Sequence, residues 1–239
     1  MDRAAHFGWG LHAVERLRGR VGALVVVDVL SFSTAVDVAV ARGAQVLPMA
    51  PGDGQAIPEM VRAKAEGAVV AVRRGEPGYS LSPASLTGIE EGARLILPSP
   101  NGARLSAAAV NGAAVFAGCL RNTRAVAWAA LAAAGQGDVG VVAAGEHWPG
   151  GEWRFAIEDL LGAGAVLHEL GLATEGEAGR ARDAFRACGA HVGEFVRGSI
   201  SGRELVGRGY AGDVDLAIEQ DVSRAAPRLV DGAYRNGVV

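Results

Sequence analysis

Cysteine is scarce in this sequence and long apolar runs are absent, and each shortage excludes a class of protein. Two cysteines in 239 residues cannot build a disulfide framework, so reduced thiols in the cytoplasm are the simplest interpretation. No apolar run reaches the ~18 residues of a membrane span, and the first ten residues lack the apolar core of a signal peptide. We therefore expect a soluble, cytoplasmic protein that does not contact a membrane.

Positive charge and aromatic side chains are also in short supply. The net charge is −3 and no basic stripe is present, which gives no electrostatic reason to expect a nucleic-acid partner. Aromatic residues make up 5% of a chain that is 50% hydrophobic, so the core must consist of Ala, Val and Leu. The 35 glycines fall at the ends of predicted elements, which is typical of helices packed closely on strands.

What the sequence does contain is a clear strand, turn and helix over residues 24–44. Residues 24–27 form an apolar run typical of a strand that is covered on both faces, and the run stops at Asp28. Thr34–Asp37 fits a capping box at the start of a helix, and Gly43 is suited to end it. Ligands of open parallel sheets bind beyond the carboxyl ends of strands, which makes Asp28, Ser33 and Thr34 site candidates. The alternative is an ordinary polar loop with a helix cap.

Strand and helix patterns then alternate along the chain. Together they predict an α/β fold with a predominantly parallel sheet, flanking helices and a helical C-terminal part. The predicted strands are 24–27, 45–49, 68–72, 94–97, 114–117 and 139–144. The predicted helices include 10–17, 54–66, 103–110, 123–134, a stripe from Ile157 to Leu170, 178–188, 191–197 and 202–207. Residues 145–154 are predicted to form a loop.

Polar residues follow the predicted strands rather than precede them. These residues are Asp28, Gly75–Glu76, Asn101–Gly102, Cys119 with Asn122, and Glu146–His147. A parallel sheet would bring most of them to one edge, where carboxylates without a histidine cluster suit Mg²⁺. Helix N-termini at Thr34, Gly102 and Thr123 would add N–H donors for an anion. Enzymes of phosphoryl transfer or hydrolysis combine a metal ion with an anion-binding site in this way.

Each of these residues also has a simpler interpretation. Glu76 would be a solvated charge, Asn101–Gly102 a turn, and Glu158–Asp159 a complement to the helix dipole. His147 could serve as a general acid or lie at the surface, and Cys119 could be a nucleophile or a packing residue. The residues alone leave these alternatives open.

The order of these motifs resembles the 2-phosphosulfolactate phosphatase family over nearly the whole chain. The resemblance begins at Val27–Thr34, which is similar to the family's Asp-x-x-Arg-x-Ser-Thr signature. It continues through Gly75–Glu76, Gly78–Tyr79, Ser82–Pro83, Asn101–Gly102, Cys119–Asn122, Ala144–Gly145, Ile157–Asp159, Ser201–Leu205, Asp213 and Asp221.

The resemblance implies a Mg²⁺-dependent phosphomonoester hydrolase with two closely packed α/β lobes. The family acts on 2-phospho-3-sulfolactate, a step toward coenzyme M. On this sequence, the resemblance implies metal ligands or water-activating residues at Asp28, Glu76 and the Glu158–Asp159 pair, with Asp28, Glu76 and Asp159 as the metal set. His147 and Cys119 are further catalytic candidates. Ser31, Ser33, Thr34, Asn101, Gly102 and Asn122 are implied to bind the anionic substrate.

One departure from the family pattern sets up a second hypothesis. Ser31 stands where the family has an arginine, the natural bidentate partner of a phosphate or sulfonate. Arg73, Arg74 or Arg104 could supply the lost charge. The enzyme hypothesis therefore competes with a non-catalytic protein that binds a small anion on the same scaffold. We expect residues 1–239 to form one functional module, and the sequence leaves open whether it forms a homodimer.

Overall fold

The computed structural model describes residues 3–51, 60–61, 64–110 and 112–237. The strands are β1 (Ala5–Trp9), β2 (Ala23–Val27), β3 (Gln45–Met49), β4 (Val69–Val70), β5 (Arg94–Pro98), β6 (Ala114–Gly118), β7 (Val139–Ala143), β8 (Glu146–His147), β9 (Trp153–Arg154), β10 (Pro227–Val230) and β11 (Ala233–Asn236). The helices are α1 (Gly10–Leu17), α2 (Phe32–Ala41), α3 (Gly102–Ala109), α4 (Thr123–Ala134), α5 (Ile157–Leu170), α6 (Gly176–Cys188), α7 (Val192–Gly198), α8 (Ile200–Gly207) and α9 (Ala211–Ala217). Most of the helix predicted over 54–66 lies outside the described residues. Among the described helices, none combines the length and the apolar character needed to cross a membrane.

A nine-stranded sheet, mostly parallel as predicted, organises the molecule. Its strand order is β1-β7-β2-β6-β10-β11-β3-β5-β4. The first four strands are parallel to one another, and so are the last three. The hairpin of β10 and β11 joins these two groups by antiparallel pairing. The mixed α/β fold class is therefore confirmed.

Strand β2 has an unbroken apolar sequence because helices cover both of its faces. Its odd-numbered residues face a core cluster shared with α4, α5 and α6, whereas Leu24 and Val26 face a second cluster with α1 and α3. All five residues of β2 are buried. Burial on both faces removes the polar–apolar alternation that a half-exposed strand would show.

The C-terminal hairpin in the middle of the sheet was not predicted from the sequence. The sequence predicted a helical C-terminal part, but β10 and β11 pair with β6 and β3. The signal was present: Asp231 and Gly232 both have positive φ, as the two-residue turn of a tight hairpin requires. Tyr234 of β11 is completely buried, and its hydroxyl lies 2.7 Å from Ser106 Oγ.

The hairpin also reverses strand direction, which corrects one step of the sequence argument. Three successive antiparallel pairings make β3, β4 and β5 run opposite to β2, β6 and β7. The strands that precede Glu76 and Asn101 therefore run antiparallel to β2. Residues that follow these strands still reach the turn after β2, because the Gly102 amide donates to Asp28 and Arg74 donates to Ser31. Helix α3, which follows β5, also packs its Leu105 and Ala109 in the same cluster as Leu24 and Val26 of β2.

The contact between α5 and α6 depends on a glycine. A Cβ atom at Gly164 would lie 2.2 Å from the carbonyl oxygen of Ala181, so the two helices can approach this closely only without a side chain there. We expect Gly164→Ala to lower the free energy of unfolding by about 1–3 kcal/mol, because overpacking forces the backbones apart. Urea denaturation measures this loss.

Gly179→Ala in α6 is the matched control. Its added methyl group would lie 3.5 Å from the nearest atom, an ordinary contact distance. Alanine also has the higher helix propensity, so this variant should be as stable as the wild type or more stable, by about 0.5–1 kcal/mol. Equal losses at both positions would refute the proposed packing constraint.

Candidate active site

Asp28 lies at the carboxyl end of β2 and is held by the first residues of two helices. Its Oδ2 accepts a hydrogen bond from the amide of Gly102 at 2.8 Å, and its Oδ1 accepts one from Phe32 at 3.4 Å. The side chain is 6% exposed. The carboxylate therefore satisfies amides at the N-termini of both α2 and α3, which is a favourable place for negative charge.

Ser33 and Thr34 support this turn and do not present free hydroxyls. Ser33 Oγ accepts from the amide of Asp28 at 2.9 Å and donates to Val26 O at 3.2 Å. Thr34 Oγ1 donates to Val29 O at 2.8 Å. Both residues are fully buried, so their predicted role in direct anion binding does not fit this structure. They fix the backbone around Asp28 instead.

The predicted capping box at Thr34–Asp37 was wrong. Helix α2 begins at Phe32, so both residues lie inside it. Asp37 is buried and pairs with Arg121 at 2.9 Å, and it also accepts a hydrogen bond from Ser223 at 2.6 Å. The Asp37 carboxylate, which was predicted to cap the helix N-terminus, therefore pairs with a distant arginine. No local sequence pattern reveals this partner.

Asp159 is a second buried carboxylate beside the Asp28 turn. Its Oδ1 accepts from the amide of Val29 at 2.8 Å, and its Oδ2 accepts from that of Gly145 at 2.9 Å. It therefore connects the start of α5 to the segments that follow β2 and β7. Burial raises the pKa of Asp159 well above its usual range, and the charges of Asp28 and Glu158 contribute to the rise.

Two glutamates complete an acidic cluster, which we define as Asp28, Glu146, Glu158 and Asp159. Glu146 Oε1 accepts from Asn101 Nδ2 at 2.8 Å. Glu158 is 2% exposed, and its Oε2 has no hydrogen-bond partner in the described part of the chain. Burial raises the pKa of Asp28 to about 7, and the charge of Glu146 is the next largest cause. A carboxyl group in this state exchanges its proton near neutral pH.

The donor chemistry of the acidic cluster fits a hard divalent cation, because all its side-chain donors are carboxylate oxygens. The unpartnered Glu158 Oε2 is the kind of buried atom that such an ion would satisfy. No three His, Cys, Asp or Glu side chains within the described ranges are placed to hold an ion together. This arrangement suits Mg²⁺ bound by one or two carboxylates with water and substrate oxygens as the remaining ligands.

Glu76 does not join the acidic cluster. It is exposed in the turn after β4, where its Oε2 accepts from the amide of Arg73 at 3.4 Å. The carboxylates that raise the pKa of Asp28 are Glu146 and Glu158. The set of Asp28, Glu76 and Asp159 is therefore not assembled in this structure. Arg74, two residues earlier in the same turn, does reach Ser31, whereas Glu76 is exposed.

Cys119 and Asn122 stabilise the turn after β6. Cys119 is fully buried, and burial raises the pKa of its thiol, which leaves it protonated and unsuited to be a nucleophile. Asn122 Oδ1 accepts from the amide of Cys119 at 2.9 Å, and its Nδ2 donates to Ala117 O at 3.3 Å. Both polar atoms of Asn122 are used by the backbone, so it offers nothing to a substrate here.

His147 lies at the rim of a small cavity next to the cluster. The residue is exposed on β8, and Asn101, Arg104 and Trp153 are among the other residues lining this cavity of about 160 Å³. The loop predicted over 145–154 thus contains the β8–β9 hairpin. His147 therefore borders a cavity that is also lined by Asn101, the hydrogen-bond partner of Glu146.

Arg74 occupies the place opposite Ser31. Its Nη2 donates to Ser31 Oγ at 2.9 Å and to Leu81 O at 3.0 Å. Its Nε lies 3.4 Å from Asp213 Oδ2. A guanidinium group from the turn after β4 therefore stands beside the position where the family signature carries an arginine. Sequence reasoning had named Arg74 only as one of three alternatives.

Asp213 and Glu146 are the residues that sequence reasoning undervalued most. Asp213 is 1% exposed, and its Oδ1 accepts from Ser82 Oγ and from the amide of Ala84. Both it and Ser82 lie in motifs that carried the family resemblance, and Glu146 follows a strand as Asp28 does. Those signals could have placed all three among the site candidates.

The raised pKa of Asp28 predicts how stability varies with pH. The ordinary pKa of the group is 3.8, so its contribution to stability is complete below about pH 4 and is lost as the pH rises through 7. In EDTA, between pH 5 and pH 8, we expect the wild type to lose about 2–3 kcal/mol more unfolding free energy than Asp28→Asn does. Urea denaturation measures both unfolding free energies. If they change equally with pH in the wild type and in Asp28→Asn, the raised pKa of Asp28 is contradicted, whatever the absolute stability of the variant.

Comparison with known proteins places this architecture in one family. The family model described as 2-phosphosulpholactate phosphatase matches residues 12–232. The 2-phosphosulfolactate phosphatase of Methanothermobacter thermautotrophicus is 31% identical over 217 residues, which cover 88% of each chain. A probable 2-phosphosulfolactate phosphatase of Thermotoga petrophila is 25% identical over 88% of this chain and 90% of its own length. Another, of Carboxydothermus hydrogenoformans, is 28% identical over 86% of this chain and 85% of its own length. The chain belongs to the 2-phosphosulfolactate phosphatase family.

Proposed function

We propose that this protein is a phosphatase that hydrolyses the phosphate monoester of a small hydroxy acid. The relatives' names favour 2-phospho-3-sulfolactate, which would yield 3-sulfolactate and inorganic phosphate. In this reaction the oxygen of water forms a bond to phosphorus, the bond from phosphorus to the substrate's alcohol oxygen breaks, and that oxygen takes up a proton. The protein must therefore orient a water molecule, balance the charge of a phosphate and supply that proton.

The observation that carries this proposal is the placement of Asp28. It is a buried carboxylate at the end of a central strand, held by two helix N-termini and surrounded by three further carboxylates. Burial raises the pKa of Asp28 to about 7. A purely structural carboxylate that accepts amide hydrogen bonds would ordinarily have a lowered pKa. The raised value is typical of a group that exchanges protons in a reaction.

The neighbouring residues then have distinct tasks. Asp28 would accept the proton of the attacking water, and Asn101 would keep Glu146 oriented through its 2.8 Å hydrogen bond. His147, exposed at the rim of the 160 Å³ cavity, would donate a proton to the leaving alcohol oxygen. The acidic cluster would repel the negatively charged phosphate ester. The site therefore also needs a cation that balances this negative charge.

We further propose Mg²⁺ as that cation, with Glu158 as the residue that would hold it, while Asp28, whose oxygens accept amide hydrogen bonds, remains the proton acceptor. When bound, the ion would neutralise phosphate charge and polarise the phosphorus centre. Glu158 supports this assignment because its buried Oε2 is otherwise unpartnered. Asp159, whose two oxygens both accept amide hydrogen bonds, would position the turn that carries Asp28.

The activity test is phosphate release from 2-phospho-3-sulfolactate and from other small phosphorylated hydroxy acids. We expect Asp28→Asn to lower kcat by at least about 100-fold, because an amide cannot accept the proton. Asp37→Asn is the matched control: Asp37 is also a buried aspartate, but it pairs with Arg121 outside the cluster. Folded Asp37→Asn protein should keep activity within about threefold of the wild type, because substitutions at distant sites that share no partners usually act independently.

Two results would contradict the proposed function. If the wild type releases no phosphate from any of these esters, the chain is a binding protein on a phosphatase scaffold. If Asp28→Asn is as active as the wild type, catalysis occurs elsewhere. Circular dichroism of each variant would establish that a loss of activity does not reflect unfolding.

The metal is tested by stability as well as by activity. At pH 8, after removal of EDTA, Mg²⁺ at about 100 times its Kd should add about 2.7 kcal/mol to the unfolding free energy of the wild type. The stabilisation should fall in Glu158→Gln and persist in Asp37→Asn. Activity that survives EDTA, together with no stabilisation by Mg²⁺, would refute the metal proposal while leaving the phosphatase proposal intact.

A further inference from the structure

A second cavity of the structure is lined by arginines. Its volume is about 450 Å³, and Arg73, Arg74 and Arg208 line it together with Leu81 and Pro98. The three arginines come from two distant segments, the turn after β4 and the end of α8. No carboxylate is among the residues that line this cavity. We call it the arginine cavity.

The positive charge of the arginine cavity is only partly compensated. Arg73 and Arg208 form no ion pair with any residue in the described part of the chain, and Arg74 has only Asp213, at 3.4 Å. The Nε of Arg74 is buried and has no hydrogen-bond partner there. Within the described residues, Asp213 is thus the one carboxylate paired with any of these three guanidinium groups, and it does not line the cavity.

Two of these guanidinium groups are held close to one another. The central carbon of Arg74 lies 5.3 Å from the centre of the Tyr210 ring, and that of Arg208 lies 5.9 Å from it. The charge of Arg208 is near enough to disfavour the charge of Arg74. Like charges at this separation repel, and an anion between them would relieve the repulsion. The tyrosine ring keeps both groups in place through cation–π contacts.

The arginine cavity adjoins the proposed catalytic site. Arg74 donates to Ser31, three residues after Asp28, and the Asp28 carboxylate is one of the charges that acts on Arg74. A small molecule whose phosphate lies at the acidic cluster could therefore extend a second charged group toward Arg74 and Arg208. Guanidinium groups bind carboxylates and sulfonates through paired hydrogen bonds.

We propose that the arginine cavity binds the acid group of the substrate, a carboxylate or sulfonate, with Arg74 and Arg208 as its ligands. This inference rests on the proposed phosphatase function and specifies how the site selects its substrate. A phosphate ester that carries a second oxyanion is preferred over one that does not. Arg74 also positions the Ser31 turn, whereas Arg208 has no other ion partner, so Arg208 is the better residue to test.

The specificity experiment compares three substrates. Phosphoglycolate carries a carboxylate, 2-phospho-3-sulfolactate carries a carboxylate and a sulfonate, and 4-nitrophenyl phosphate carries neither. We expect Arg208→Ala to lower the ratio of kcat/KM for each acidic ester to kcat/KM for 4-nitrophenyl phosphate by about tenfold or more. A larger effect on 2-phospho-3-sulfolactate than on phosphoglycolate would identify the sulfonate as the preferred group. Arg208→Lys should restore part of the ratio.

Arg186→Ala is the control for the loss of one positive charge. Arg186 is exposed on α6 and forms no hydrogen bond or ion pair with the described residues. Its substitution should leave the ratio unchanged. If Arg208→Ala lowers kcat/KM equally for all three substrates, or leaves the ratio as it is in the wild type, the proposed acid-group site is wrong.

A binding measurement separates this inference from the proposed function. Sodium sulfate, compared with sodium chloride at equal ionic strength, should stabilise the wild type in thermal unfolding, and Arg208→Ala should weaken the sulfate affinity at least fivefold. If sulfate binding depends on Arg208 but no ester is hydrolysed, the arginine cavity is an anion site and the phosphatase proposal fails. If esters are hydrolysed but neither sulfate affinity nor substrate preference depends on Arg208, the arginine-cavity proposal fails alone.

Discussion

The geometry of the site depends on two buried carboxylates that bind backbone amides. Asp28 accepts from the first residues of α2 and α3, and Asp159 accepts from the turns after β2 and β7. Three chain segments, at residues 29–32, Gly102 and Gly145, therefore meet at two side chains. Apolar residues could not replace these carboxylates, because buried amides would lose their acceptors at a cost of about 1–3 kcal/mol each. The cluster is thus part of the fold as well as the proposed site of chemistry.

Because these carboxylates serve both the fold and the proposed chemistry, several negative charges lie close together in the interior. Burial positions Asp28 and Asp159 firmly, but it also places them beside Glu146 and Glu158, and the pKa of each aspartate rises as a result. Proton uptake or a bound cation relieves the repulsion among the carboxylates. Arg74 is near enough for its charge to interact with Asp28, but it is also paired with Asp213 and lines the arginine cavity.

Local patterns predicted most of the fold and part of the candidate site. Helix α4 and strand β3 lie at the predicted residues, because their apolar spacing and end signals are local. The sheet order could not be read in the same way, because a C-terminal hairpin reverses strand direction in the middle of the sheet. Glu76 lies outside the cluster, although Arg74 of the same turn reaches Ser31. Asp28 was found because it follows a buried strand, whereas Asp159 was assigned to the site only through the family resemblance. The partnership of Arg74 with Ser31 joins residues 43 positions apart, and no spacing rule encodes it.

The position of the C-terminal hairpin has a consequence for biosynthesis. Strands β10 and β11 lie between β6 and β3, yet the ribosome makes them after every other strand of the sheet. Until residues 227–236 have emerged, β6 and β3 each present an unpaired edge to the surrounding solution. Such edges are templates for pairing with other chains. The growing polypeptide must therefore protect two open edges for most of its synthesis, and the last strands to appear are those that close them.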